Sequence, residues 1–195
     1  MTYNTIEKGS GRPLIMLHGI FGHASNWRYA LERLSAGYKA VALELPYLEL
    51  ADKDLKFDDL TDYVLGFADS KGFDRAVYVG NSLGGHIALD VAIKAKERVG
   101  ALVLTGSSGL FERGYEKDLK IHPQRPYVRK KVGEMFFDQR LVTDELIDSV
   151  YNILKDKKNR LRVIRLMKAA KRYNVKSLLP LIGCKTLLIW GKQDS

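Results

Sequence analysis

Gly80-Asn81-Ser82-Leu83-Gly84 fits the pattern G-x-S-x-G. The apolar run Ala76-Val77-Tyr78-Val79 precedes it, and residues 83–93, apolar nearly all round, follow it. A buried strand, a sharp turn and a central helix in that order would lift the Ser82 hydroxyl above the end of the strand, where it can attack a carbonyl carbon. Glycines at 80 and 84 suit such a turn, because side chains there would collide with neighbouring backbone. The helix that starts beneath the serine would present a positive electrostatic end to developing negative charge. The chemistry this predicts is acyl transfer, ester hydrolysis being the simplest case.

Two other clusters stand where strands should end. His18-Gly19-Ile20-Phe21-Gly22 follows the run Leu14-Ile15-Met16-Leu17, and Trp190-Gly191-Lys192-Gln193-Asp194 closes the run that starts at Thr186. Apolar runs also occupy 40–43 and 101–104, the latter ending in Gly106. Continuous apolar runs without alternation suit strands buried on both faces. Helical spacing appears between them, as in Leu60, Val64 and Phe67. Strand–helix alternation predicts a doubly wound α/β fold with a mostly parallel sheet and right-handed crossovers.

The alternation stops after Gly109. From there to about Asn174 the pattern is helical. Asp144 and Glu145 stand where a helix N-terminus favours acids, with Lys155, Lys157 and Lys158 toward its other end. Asn159 is the expected cap of a further helix carrying Leu161, Ile164, Met167 and Ala170 on one face. The expected organisation is a core formed by residues 1–109 and 176–195, with a helical insertion at 110–175.

With His18-Gly19, Trp27, Gly80 to Gly85 and the 190–194 cluster in this order, the chain resembles the α/β-hydrolase superfamily. More narrowly it resembles its lidded serine hydrolases, which include small esterases and meta-cleavage-product hydrolases. The resemblance implies that the 110–175 insertion is a lid. It implies two oxyanion-hole donors, the backbone N–H groups of Ile20 and Leu83, and an acyl pocket that Phe21, Trp27 and Phe111 are candidates to line. Trp27 is equally well read as an ordinary core aromatic. Asp194 takes the position of the triad carboxylate, which orients a histidine and stabilises it when protonated. Dehalogenase or epoxide hydrolase activity is disfavoured, since those relatives carry an aspartate where Ser82 stands. The substrate expected is a small carboxylic ester or similar acyl compound. Carbon–carbon bond hydrolysis and a non-catalytic ligand-binding homologue are the alternatives.

The histidine of that triad would follow Asp194 by some distance. His18 belongs to the glycine turn, His86 lies one turn into the helix after Ser82 and is expected to be packed, and His122 falls in the insertion. None of the four fits the role of the base, His23 being the only one that could approach the site. The expectation is an incomplete hydrolase core, lacking the last strand, the last helix and the base, and nearly inactive by itself.

Composition excludes more than it assigns. The net charge of +9 lies wholly in residues 110–176, with 18 Lys and Arg against nine Asp and Glu, whereas the rest carries 14 of each. That surface is compatible with an anionic substrate, but no nucleic-acid motif accompanies it. Charges interrupt every apolar run well short of a membrane span. The single Cys184 cannot form an internal disulfide and is expected as a small buried hydrophobe. The scattered histidines offer no metal cluster, and no cofactor is expected. No apolar signal segment opens the chain, and these features together point to the cytosol. The oligomeric state is not encoded in any pattern.

Overall fold

The five apolar runs become the parallel strands of one six-stranded sheet. The computed structural model describes residues 2–50, 55–110 and 123–194. In chain order the elements are β1 (Thr5–Lys8), β2 (Arg12–Leu17), α1 (Arg28–Leu34), β3 (Tyr38–Leu43), α2 (Tyr47–Leu50), α3 (Asp58–Ser70), β4 (Ala76–Asn81), α4 (Leu83–Lys94), β5 (Val99–Thr105), α5 (Arg125–Gly133), α6 (Asp144–Lys155), α7 (Lys157–Arg172) and β6 (Lys185–Ile189). The strand order is β1-β3-β2-β4-β5-β6, and only the pairing of β1 with β3 is antiparallel.

Successive strand residues point to opposite faces. Ile15, Leu17, Val41, Leu43, Tyr78, Leu102 and Leu104 therefore share one core with α3 and α4. Leu14, Met16, Ala40, Ala42, Val77 and Val79 share the other with Leu31 of α1 and with Trp27. Helices on both faces explain why the strands read as unbroken apolar runs. Each fully buried Leu or Ile contributes about 1.5–3 kcal/mol relative to an exposed one. In α3 the predicted stripe Leu60, Val64 and Phe67 is fully buried, and in α4 ten residues from Leu83 to Ala92 are buried.

The chain leaves the sheet after β5 and returns before β6, and the two ends of this excursion are tied together. Val175 N–H donates to Gly109 O at 2.9 Å, and the Asn174 side-chain amide donates to Leu110 O at 3.1 Å. Helices α5–α7 have an apolar cluster of their own, which packs on Ile20 and Phe21. Helix α6 begins as expected, with Asp144 and Glu145 in its first turn and Thr143 as cap. The expectation for α7 is corrected. Asp156, not Asn159, is the cap; its extended backbone lets the carboxylate accept from Asn159 N–H at 2.7 Å.

Strand β6 differs from the others. Among the described residues it pairs with β5 alone, and Leu187, Leu188 and Ile189 are 55%, 62% and 50% exposed. Cys184, just before it, is half-buried against the α3–α4 core rather than fully buried. Among the described residues no helix is long and apolar enough to cross a membrane.

Candidate active site

Ser82 has φ 49° and ψ −114°, between the end of β4 and the first residue of α4. A non-glycine residue in this region costs on the order of 1–3 kcal/mol, and only dense surroundings hold it there. The surroundings are backbone. A Cβ on Gly80 would stand 2.3 Å from Gly84 O, and a Cβ on Gly84 would stand 2.2 Å from Leu17 O. Strand β4 and helix α4 can approach this closely only through glycine. Ser82 N–H donates to Thr105 O at 3.2 Å, and its carbonyl accepts from His86 N–H at 3.1 Å and Ser108 N–H at 3.2 Å. The Asn81 amide pins the same strand end to Thr105 through two bonds of 3.0 Å.

The turn after β2 lies directly against the serine. A Cβ on Gly19 would be 3.2 Å from both Ser82 Cβ and Asn81 Oδ1. Ile20 follows it and touches both the main core and the helical cluster, and Phe21, at φ 61°, packs on that cluster. Neither Ile20 N–H nor Leu83 N–H takes part in the turn and loop backbone bonds of the described residues. The first N–H groups of a helix are without intrahelical partners in any case.

His18 holds this turn. Leu45 N–H donates to its Nε2 at 2.9 Å, so the proton sits on Nδ1, which donates to Gly19 O at 2.8 Å. Burial keeps its pKa below the usual histidine value, although the Gly19 carbonyl and Glu44 oppose that shift. Glu44 braces the outer side, accepting from Ala24 N–H at 2.7 Å and lying 3.1 Å from His23 Nδ1. His23 is therefore engaged with Glu44, with its side chain half exposed. No pattern in the sequence marked Glu44; its partners lie about twenty residues away.

His86 is fully buried, with its ring 4.0 Å from that of Phe57. Among the described residues neither ring nitrogen has a hydrogen-bond partner. Burial lowers its pKa to about 4, against smaller upward effects of the Tyr173 backbone and Asp90. One turn further along α4, buried Asp90 accepts from the Thr61 and Tyr173 hydroxyls, both at 2.6 Å, and pairs with Lys94 at 2.8 Å. This carboxylate joins α3, α4 and the residue that ends α7.

Asp194 stands past β6, with its N–H donating to Gly191 O at 3.1 Å. Gly106, at φ 48°, faces it; a Cβ there would be 3.1 Å from Asp194 Oδ2. Ser82 and Asp194 thus follow β4 and β6, the two strands flanking β5. The structure gathers Ile20, Phe21, Ser82 and Leu83 at one edge. Trp27 is not among them: it packs against the opposite face of the sheet with the α1 side. Among the described residues its indole N–H has no partner. Phe111 and His122 lie outside the described residues. Among the described residues no histidine side chain bonds to Ser82 or Asp194, and none of their acidic, histidine or cysteine groups clusters as a metal site.

Comparison with known proteins agrees with this architecture. A 2-hydroxymuconate semialdehyde hydrolase of Pseudomonas sp. strain CF600 is 34% identical over 76% of this chain and 56% of its own length. The dihydrolipoyllysine-residue acetyltransferase component of the acetoin cleaving system of Pseudomonas putida is 29% identical over 95% of this chain and 52% of its own length. The chain therefore spans about half the length of these two curated relatives. Among solved structures, an α/β-hydrolase enzyme from the sediment metagenome of the Mar Chica lagoon, Morocco, matches with a TM-score of 0.77. It is 30% identical over 98% of this chain and 73% of that one. The model of the alpha/beta hydrolase fold family matches residues 12–195, and with the Ser82 turn, the Gly19 turn and the parallel sheet in place, the chain belongs to that family.

Proposed function

We propose that Ser82 is the nucleophile of a serine hydrolase that cleaves a carboxylic ester or similar acyl substrate through an acyl-enzyme. The observation that carries this reading is the strained Ser82 turn with Gly19 packed against it. Strain of this kind is concentrated at functional sites, which supports a chemical task for a serine held at φ 49°. In this reading Ser82 Oγ attacks the carbonyl and the Ile20 and Leu83 N–H groups receive the oxyanion, each contributing about 3–4 kcal/mol in the transition state. Asp194 orients the imidazole that takes the serine proton. Ile20 and Phe21, under the helical cluster, form the acyl side of the pocket, and residues 110–175 act as its lid. The basic surface of that segment favours a substrate with a negative charge.

His18 is bonded to Leu45 N–H, His23 lies against Glu44 and His86 is buried, so in this reading none of the three supplies the base that the reaction requires. Without it, binding and the oxyanion hole support about 10³–10⁴-fold acceleration over water. A second reading is carbon–carbon bond hydrolysis, favoured by the named activity of the relative from Pseudomonas sp. strain CF600.

The test is a panel of p-nitrophenyl esters and dienoate ketones, run with and without imidazole as a diffusible base, on the wild type and on Ser82→Ala. The expected result is weak ester turnover that imidazole accelerates and Ser82→Ala removes. Preference for the ketones would favour the second reading. Turnover indifferent to Ser82 would defeat both and leave a ligand-binding homologue.

A further inference from the structure

A cleft of about 540 Å³ opens between the start of α3 and the C-terminal half of α7, and Ser82 is not among its walls. Lys56 stands on one side and Arg165, Lys168 and Arg172 on the other. Leu55, Ala169 and Tyr173 give it apolar surface. Lys168 and Arg172 are four residues apart on α7 and so lie one above the other on a single helical face. That helix carries eight cations and no acid in 16 residues.

Among the described residues, Lys56, Lys168 and Arg172 make no ion pair. The one carboxylate in the wall, Asp58, is engaged by Lys94, which also pairs with Asp90. Three positive charges with no ion pair among the described residues therefore line one concave site. Like charges at i, i+4 oppose helix stability by a few tenths of a kcal/mol, a cost that a bound anion removes.

The geometry points to a binding site for a small organic phosphate in this cleft. Its phosphate or diphosphate head would be held by Lys56, Lys168 and Arg172, and its carbon skeleton would lie against Leu55, Ala169 and Tyr173. A single carboxylate carries too little charge for three cations, whereas a phosphate brings about −1.5 to −2 and three strong acceptor oxygens. Arginine adds planar, bidentate geometry for those oxygens. The volume falls within the ~300–1,000 Å³ of pockets for organic ligands. Such a ligand would bridge α7 to the segment before α3. It would also rest on Tyr173, whose hydroxyl donates to Asp90 and whose ring stacks on Phe57 at 5.2 Å. This site is independent of the Ser82 chemistry.

Titration calorimetry with ADP as the probe tests the inference at near-physiological salt. Saturable binding is expected, with adenosine at least about tenfold weaker because it lacks the charge-assisted contacts. The Lys168→Glu/Arg172→Glu double variant should bind at least about tenfold more weakly. Lys157→Glu/Lys158→Glu makes the same charge change at the other end of α7, outside the cleft, and should stay within about twofold, since only screened long-range charge is altered. Ala169→Trp fills the cleft without altering charge and should abolish binding. Circular dichroism melting of each variant separates loss of binding from loss of fold. Absence of ADP binding, equal weakening in the two double variants, or unchanged binding in a folded Ala169→Trp would overturn the site.

Discussion

Two turns at the same edge of the sheet carry Ser82 and Asp194, and they are held in different ways. The Ser82 turn is fixed largely by main chain. Gly80, Gly84 and Gly19 each meet neighbouring atoms where a Cβ would sit, and three backbone bonds involve Ser82 itself. Its helix is buried almost throughout. Among the described residues the Asp194 turn is closed by one backbone bond, to Gly191, and it follows a strand whose side chains are exposed along its length. A Cβ on Gly191 would find its nearest neighbour, Asp194 Cβ, at an ordinary 3.7 Å. Backbone crowding sets a position to within a few tenths of an ångström, whereas an exposed strand end sets it only as firmly as its single neighbour, β5, allows.

The contrast predicts unequal responses to like substitutions. Gly84→Ala should be the most damaging, because its new methyl would face Leu17 O at 2.2 Å and neither backbone can yield. A loss of about 4 kcal/mol or more in urea unfolding is expected. A cost under about 1 kcal/mol would mean that the turn is not held by close packing.

Acid should act on the same side of the molecule. The pKa of His86 is lowered to about 4 in the folded chain, chiefly by burial, against about 6.5 when unfolded. Above the unfolded value the ring is neutral in both states and costs nothing. As pH falls from about 6.5 toward 4, only the unfolded chain gains the proton, so stability is lost by up to about 3 kcal/mol. His86→Leu should therefore lose less stability than the wild type between neutral pH and the lower end of that window, measured by urea midpoints. Equal losses would show that His86 is not the group excluded from water.

Gly191→Ala should be the mildest, within about 0.5 kcal/mol, since its methyl meets only ordinary contact distances. A large loss there would mean that the Asp194 turn is as constrained as the other.

The same distinction decided how much could be read before the structure. The parallel strands were legible because burial on both faces leaves an unbroken apolar run, and the Ser82 turn because its glycines stand next to it in the chain. Strand β1 was not, since its four residues are half-exposed and too short to show a period. Helix α1 buries only Leu31 and so displays no stripe. Asp156 and Asn159 are both competent caps three residues apart, and only the extended backbone at Asp156 separates them. Trp27 is a candidate for the pocket or for the core by its residue type, and the short helical turn at Ala24–Trp27 places it in the core on the opposite face of the sheet. The supports of the site lie far off in the chain. Glu44 reaches back 20 residues to Ala24 N–H, and Tyr173 reaches Asp90 across 83. No local pattern announces such partners.

The central claim is that Ser82 is a nucleophile held ready by its turn. Intact-mass measurement after exposure to a fluorophosphonate, with imidazole present as a base, tests it directly. A single phosphonyl adduct that Ser82→Ala abolishes is the result predicted. An unlabelled wild type, or an adduct that persists in Ser82→Ala, would contradict it.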